Sequence, residues 1–189
     1  ITLPTYDKVG VYEYTLKEMA GTTAGVTYYG APIRLVVTVI NDETGNLRVA
    51  AVHTESEGTK SDEFENTYSA GTLNVTKTVT GNLGDKSQFF EFKVTLTGEE
   101  GKTYANSYTV SGGSYVSNPT SIAIGTETTF YLKHGETLSI ANLPYGVSYT
   151  VTEMAVEGYT TTKEGDSGSI TAATQTAAFT NERTTTVDT

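Results

Sequence analysis

The amino-acid sequence predicts an all-β protein, and two observations support that prediction. Runs in which apolar and polar residues alternate recur about every 8–12 residues, which is the strand spacing of a sandwich or barrel. The composition agrees, because Thr, Val and the 13 Tyr suit a pleated, half-buried surface, while 19 Gly supply turns. No stretch keeps a helical period beyond about two turns. The 189 residues have room for one to two domains.

The alternating runs place the strands along the chain. Clusters of Gly, Asn and Asp separate them, and the one candidate for a helix, at 17–20, is explained as a strand end. In chain order the predicted strands are 9–16, 33–40, 47–53, 63–68, 72–79, 89–97, 104–110, 128–132, 137–141, 147–153 and 176–181.

An internal repeat divides the chain into two parts. The stretch YTLKEMA at 14–20 reappears as YTVTEMA at 149–155, and a Gly-Val pair precedes each copy. Downstream of each copy comes a Phe-x-Asn, at 64–66 and at 179–181. Identity at five of the seven positions, with matching flanks, predicts two homologous β-domains.

The two predicted domains, 1–70 and 71–189, are unequal. Only 13 residues precede the first copy of the repeat, whereas about 75 residues of strands precede the second copy within its own domain. The first domain is therefore expected to lack its front half in this chain. It is either a fragment or a domain that another molecule completes.

Charge and composition exclude several classes of function. The formal net charge of −10 argues against a nucleic-acid partner, which depends on clustered Lys and Arg. With no Cys and two His, no metal site and no cofactor are expected, and the acidic loops lack the ligand spacing of a calcium motif. No run of about 18 apolar residues exists, so no membrane-spanning segment is predicted in this stretch.

Three polar residues occupy positions that the alternation assigns to a buried face. Lys77 falls in register with the apolar residues of its strand, and Glu153 and Asn181 do the same in theirs. The equivalent positions of the first domain are Glu18 and Asn66. Isolated charges are costly on a core face, so each needs a partner or a shifted pKa.

A buried Lys, Glu and Asn can perform one reaction together. Burial lowers the pKa of a Lys and raises that of a Glu, which favours a nucleophilic amine beside a carboxylic acid that can shuttle protons. The amine can then attack the Asn side-chain carbonyl carbon, releasing ammonia and forming an isopeptide bond. A buried Lys–Glu ion pair with an Asn in a turn explains the same positions, and both interpretations remain open.

Several motifs resemble one known family. The pattern LxVxKxVxG at 73–81, followed by FxFxVxL at 90–96, is similar to the opening of the isopeptide domains of Gram-positive pilins. The run LxxGExxxIxxLPxGVxYxVTE at 132–153 and the closing FTN at 179–181 match the rest of the pattern. The sequence most resembles the T-antigen-type backbone pilins of streptococci. This resemblance implies tandem immunoglobulin-like (collagen-adhesin B-type) β-sandwiches.

The resemblance also implies roles for individual residues. Lys77 and Asn181 would form the isopeptide cross-link with Glu153 as the catalytic acid, and Glu18 and Asn66 would play the corresponding roles in the first domain. The family's first-domain Lys lies on a strand upstream of this sequence, so no lysine here is assigned to Asn66. That strand was cleaved, was left out of the sequence or is donated by a neighbouring molecule.

Two further positions match the way such pilins are joined by a sortase. Lys60, four residues before Phe64, corresponds to the Lys that receives the next subunit, although the spacing is one residue shorter than in the family. Thr189 ends a stretch similar to a processed sorting motif, with Asp188 where the family usually has Pro. A solvated loop lysine and an arbitrary chain end explain these residues equally well.

The function that the resemblance implies is structural. The chain would be a shaft subunit of a pilus on the wall of a Gram-positive bacterium, linked by sortase to identical subunits and to minor tip and base pilins. Bond formation would occur once per molecule, so no turnover enzyme is expected. Two alternatives are a stalk or ligand-binding repeat of a wall-anchored adhesin, and a carbohydrate-binding module that uses the Tyr residues.

Overall fold

Every regular element of the computed structural model, which describes residues 1–186, is a β-strand, as the sequence predicts. In chain order the strands are β1 Gly10–Leu16, β2 Val26–Thr27, β3 Ile33–Asn41, β4 Leu47–Ser56, β5 Thr59–Lys60, β6 Thr67–Tyr68, β7 Ala70–Thr80, β8 Phe90–Thr97, β9 Tyr108–Gly112, β10 Ser121–Ile122, β11 Thr128–Leu132, β12 Thr137–Pro144, β13 Ser148–Glu153, β14 Thr160–Glu164, β15 Ser167–Ser169 and β16 Thr174–Glu182.

The chain divides into two compact units. The first comprises residues 1–21 and 27–67, and the second comprises residues 22–26 together with the chain from Tyr68 onward. The segment 22–26 belongs to the second unit because its backbone bonds there: Ala24 N donates to Thr103 O at 2.9 Å. The predicted boundary at 70–71 lies three residues after this one, and the predicted domain homology stays a prediction.

The second unit is a sandwich of two sheets. One sheet has six strands in the order β10-β9-β12-β7-β16-β14, and the other has four in the order β11-β8-β13-β15. Alternate residues of each long strand point inward, which buries one continuous apolar core between the sheets. Its larger fully buried apolar members are Phe90, Phe92, Phe130, Phe179, Leu73, Leu96, Leu132, Leu138, Ile140 and Leu143.

The first long strand of this unit, β7, lies beside the last, β16, and the two run parallel. Their register extends from Thr72 opposite Thr174 to Thr80 opposite Glu182. Parallel neighbours cannot be joined by a tight turn, so the other strands of the sandwich lie between them in sequence. The first and last long strands of the unit therefore pair along nine residues each.

The first unit contains one four-stranded sheet, in the order β1-β3-β4-β5. Its buried core comprises Leu35, Val37 and Val39 of β3. Side chains that are only partly buried pack on this core, namely Leu3, Tyr6, Tyr12, Tyr14 and Leu16. Most of β4 is exposed. The predicted absence of half of a first sandwich stays a prediction.

The strands that the sequence did not predict are short or lack an apolar pattern. β2, β5, β10 and β15 have two or three residues, too few to show an alternation. β14 is exposed along its whole length at the edge of its sheet. The predicted strand at 63–68 shrinks to Thr67–Tyr68, and the one at 104–110 begins only at Tyr108.

Candidate functional site

Lys77, Glu153 and Asn181 meet inside the second sandwich. Lys77 lies on β7, Asn181 on β16 and Glu153 at the end of β13 in the facing sheet. Lys77 Nζ donates to both carboxylate oxygens of Glu153 at 2.9 Å, and Asn181 Nδ2 donates to Glu153 Oε1 at 2.5 Å. Lys77 is 1% exposed and Asn181 is fully buried.

The parallel register explains why the lysine and the asparagine are neighbours. Asn181 lies opposite Val79, and Lys77 lies two residues earlier, opposite Phe179. Side chains two apart on a strand share a face, and neighbouring strands lie only about 4.8 Å apart. Because Lys77 and Asn181 point into the core from one sheet, the carboxylate of Glu153 reaches both from the other.

The ammonium group of Lys77 lies in apolar surroundings. Its Nζ is 4.1 Å from the ring centroid of Phe90 and 5.7 Å from that of Phe92, both on β8. Burial lowers the pKa of Lys77 below its ordinary value, while its hydrogen bonds to Glu153 oppose that shift. The surroundings thus favour the neutral amine, which is the nucleophilic form.

In the side-chain amide of Asn181, only the nitrogen has a hydrogen-bond partner among the described residues. Its Nδ2 donates to Glu153, whereas its Oδ1 is buried with no hydrogen-bond partner among the described residues. A buried polar atom without a partner is rare in folded proteins and calls for a reason. In this arrangement the nitrogen that would leave as ammonia is the atom next to the carboxylate.

The first unit contains a similar pair, to which no lysine among the described residues is hydrogen-bonded. Asn66 Nδ2 donates to Glu18 Oε1 at 2.8 Å, and Asn66 Oδ1 accepts from the backbone N–H of Tyr29 at 2.8 Å. Glu18 Oε2 is buried with no hydrogen-bond partner among residues 1–186. Asn66 itself is exposed, although the alternation predicted an inward position.

The two candidate linkage residues lie elsewhere. Lys60 is the last residue of β5, opposite Glu55 of β4, and it is exposed. Thr189 lies outside the described residues, so its prediction is not addressed by the structure. Among the residues that are described, no group of three or more His, Asp or Glu is placed to hold a metal ion. Nor does that part of the chain contain a helix long and apolar enough to cross a membrane.

Phe90 and Phe92 were not predicted from the sequence to be part of the site. The alternating pattern at 90–96 predicted a strand with a buried face, and these two rings occupy that face. A signal for them existed, because Lys77 on a core face must meet apolar groups of the opposite sheet. Which rings it meets depends on the pairing of the sheets.

Two family models match the chain, and together they span nearly all of it. Residues 71–183 match a domain of unknown function, DUF7601, and residues 2–69 match the Spy0128-like isopeptide containing domain, FctA.

Two relatives of this chain are proteins of Streptococcus pyogenes. A pilin of Streptococcus pyogenes serotype M1 is 34% identical over 170 residues, which are 85% of this chain and 49% of the pilin. The pilus tip adhesin Cpa of S. pyogenes is 32% identical over 118 residues, or 59% of this chain and 16% of the adhesin. This chain thus spans about half the length of that pilin.

Solved structures of major pilins have a fold similar to that of this chain. The crystal structure of the major pilin of S. pyogenes superimposes with a TM-score of 0.71 at 28% identity, covering 96% of this chain and 73% of the pilin chain. The major pilin T3.2 of the same species gives 0.68 at 29% identity, covering 94% and 69%. The all-β, multi-sheet prediction is confirmed by these neighbours.

Proposed function

We propose that this chain is a structural shaft subunit of a pilus on the surface of a Gram-positive bacterium. The chain belongs to the DUF7601 family, and its residues 2–69 match the Spy0128-like isopeptide containing domain. One observation carries the proposal beyond similarity. The second unit buries a Lys and an Asn on its adjacent first and last long strands, and both side chains donate hydrogen bonds to one Glu of the facing sheet.

We propose that these three residues form an isopeptide bond. The neutral amine of Lys77 attacks Cγ of Asn181, a Cγ–Nζ bond forms and the Cγ–Nδ2 bond breaks. Glu153, which contacts both nitrogens, takes a proton from Nζ and gives it to Nδ2, which leaves as ammonia. The chain loses about 17 Da, the mass of one ammonia. Glu153 ends in its starting state, and each molecule reacts once.

The position of this bond suits a shaft subunit. Lys77 is on the first long strand of the second unit and Asn181 on the last, so the bond joins the strands where tension enters and leaves. The bond would route force past the backbone hydrogen bonds of the sheet. It also closes a loop of about 100 residues, which stabilises the fold by restricting the unfolded chain.

The Glu18–Asn66 pair supports a second, incomplete site in the first unit. Glu18 Oε2 is buried without a hydrogen-bond partner among residues 1–186, as expected of a carboxylate whose cation is missing. Asn66 would then be bonded to a lysine from a strand outside this sequence or from a neighbouring molecule. In that case residues 1–70 are the C-terminal part of a first isopeptide domain.

Assembly into a polymer would use Lys60 and Thr189. Lys60 is exposed, and a sortase acceptor must reach an enzyme-bound intermediate of another subunit. Thr189 would be the residue through which the chain is joined to the next one. Identical subunits, a sortase and minor tip and base pilins are the proposed partners, and the proposed location is the outer face of the cell wall.

The test of the shaft function is the covalent ladder that linked subunits give on denaturing gels. Lys60→Ala in the full-length protein, expressed in its own host, should abolish the ladder because the acceptor amine is gone. Lys86→Ala, which removes another lysine of this chain, is the matched control and should leave the ladder intact. A normal ladder in the Lys60→Ala strain would contradict the role of this residue.

A second candidate function has one observation in its favour. The 32% identity to a pilus tip adhesin suits a stalk or ligand-binding repeat of an adhesin. An adhesin of this kind need not accept a further subunit at Lys60. A wild-type protein that forms no multimers in its own host, but binds a host surface, would therefore favour the adhesin.

A further inference from the structure

A four-residue loop, Lys133–Glu136, extends the sheet beside Lys77. The loop joins β11 to β12, and the β12–β7 ladder ends where Thr137 pairs with Thr76. Beyond that point the loop provides the hydrogen bonds of β7. Lys77 N donates to Glu136 O at 3.0 Å, and Gly135 N donates to Lys77 O at 2.8 Å.

Val79 is the next residue of β7 after Lys77 that faces the core, and its backbone N–H is bonded by a side chain. Val79 N donates to His134 Nδ1 at 3.0 Å, so the imidazole takes the place of the missing strand carbonyl. A ring nitrogen that accepts a hydrogen bond carries no proton, and the ring therefore has its proton on Nε2. His134 is half-buried, whereas Val79 is 1% exposed.

The loop is itself ordered by local contacts. The Glu136 carboxylate accepts from the backbone N–H groups of Ser114 and Lys133, each at 3.1 Å. Gly135 has a φ of 78°, a conformation that glycine adopts without strain. His134 is thus presented to β7 by a loop with a fixed shape.

This contact lies directly beside the reacting pair. Val79 is the register partner of Asn181, and Lys77 is two residues before it on the same face. On its other edge β7 is held by β16, so the loop completes the hydrogen bonding of the stretch that carries the nucleophile. Without an acceptor, Val79 would bury an unsatisfied N–H, and the strand end would shift to find one.

We propose that His134 is a positioning residue for the Lys77–Asn181 reaction. Its Nδ1 fixes the backbone of residues 77–79 and so keeps the side chain of Lys77 beside that of Asn181. The inference rests on the proposed isopeptide bond. Displacements of about 1 Å at a reacting centre can slow a reaction by up to ~100-fold, so loss of this acceptor should slow bond formation by ~10-fold or more.

The test uses two variants of nearly equal shape. His134→Asn places an amide oxygen where Nδ1 was and keeps the acceptor, whereas His134→Leu places a methyl group there. Pulse-labelled chains from cell-free synthesis are denatured at intervals, and the half-time of the 17 Da loss is measured by intact mass. We expect the Leu variant to be ~10-fold slower than wild type and the Asn variant to be within about twofold of it.

The control is the other histidine, His53, which is exposed and bonds Glu55. His53→Leu should leave the half-time unchanged. Equal half-times for the Leu variant at His134 and the wild type would overturn the proposal, as would an Asn variant as slow as the Leu variant. If the Leu variant does not fold, His134→Ala admits water to Val79 N–H without fixing the strand, and must still be slow.

Failure of the bond and failure of the positioning role are distinguishable. A wild-type chain that never loses 17 Da contradicts the isopeptide bond itself. A wild-type chain that loses 17 Da, with all His134 variants equally fast, contradicts only the role of His134.

Discussion

In the described part of the chain each unit has a hydrogen-bonded Glu–Asn pair, and the surroundings of the two pairs differ. In the second unit Glu153 and Asn181 share the core of a two-sheet sandwich with Lys77, which is 1% exposed. In the first unit Glu18 follows β1 and Asn66 precedes β6, Asn66 is exposed, and one oxygen of Glu18 is buried with no hydrogen-bond partner among the described residues.

The difference shows what the pair lacks on its own. A carboxylate beside an amide can exchange protons, but it holds no nucleophile. The proposed reaction needs an amine that burial has made less basic, and the core of the second unit places apolar groups such as Phe90 around Lys77. The second unit has this enclosure within residues 1–186.

The largest expected difference between the two pairs is in covalent mass. Glu153→Gln cannot accept and return a proton, so its bonded fraction should fall from nearly complete to nearly none. The matched change Glu18→Gln should leave the loss of about 17 Da intact, because no lysine of residues 1–186 is hydrogen-bonded to the first unit's pair. Intact mass of the denatured variants measures both. A fully bonded Glu153→Gln chain would show that the carboxylate is dispensable.

The next effect is on stability. Asn181→Ala prevents the bond and should lower the free energy of unfolding of the second unit by ~4–5 kcal/mol, the chain-entropy contribution of a cross-linked loop of about 100 residues. Asn66→Ala should leave the same transition unchanged. Denaturant unfolding followed by circular dichroism gives both values. Equal midpoints for wild type and Asn181→Ala would speak against a cross-link.

The smallest effect concerns how the free energy of unfolding depends on pH in a variant that cannot form the isopeptide bond. In Asn181→Ala, Lys77 keeps its amine, and burial lowers its folded-state pKa below the ordinary 10.5. The unfolded chain then binds this proton more tightly than the folded one. The free energy of unfolding should therefore rise as pH increases from the folded-state pKa toward 10.5, by less than ~1.4 kcal/mol per pH unit.

A matched double variant isolates this contribution. Lys77→Met with Asn181→Ala removes the titrating group and keeps a long apolar side chain, so the difference in slope between the two proteins belongs to Lys77. Within residues 1–186 no buried lysine contacts the pair of the first unit, so Glu18→Gln should leave the slope unchanged. Identical slopes with and without Lys77 would contradict its lowered pKa.

Much of this molecule is determined by the sequence itself. Strict alternation fixes which residues of a strand share a face, so the inward positions of Lys77 and Asn181 followed from counting by two. The same alternation of apolar and polar residues predicted the long strands. A strand such as β14, exposed throughout, offers no alternation to detect.

The assembled site was decided by the tertiary structure. Alternation says that a residue points inward but not which residue it meets, because pairing between distant strands depends on the packing of the whole sheet. The parallel register of β7 with β16 brings Asn181 beside Lys77, and the facing sheet supplies Glu153 and Phe90. The contact of His134 with Val79 arises in a loop, where no periodicity exists, so only the folded chain reveals it.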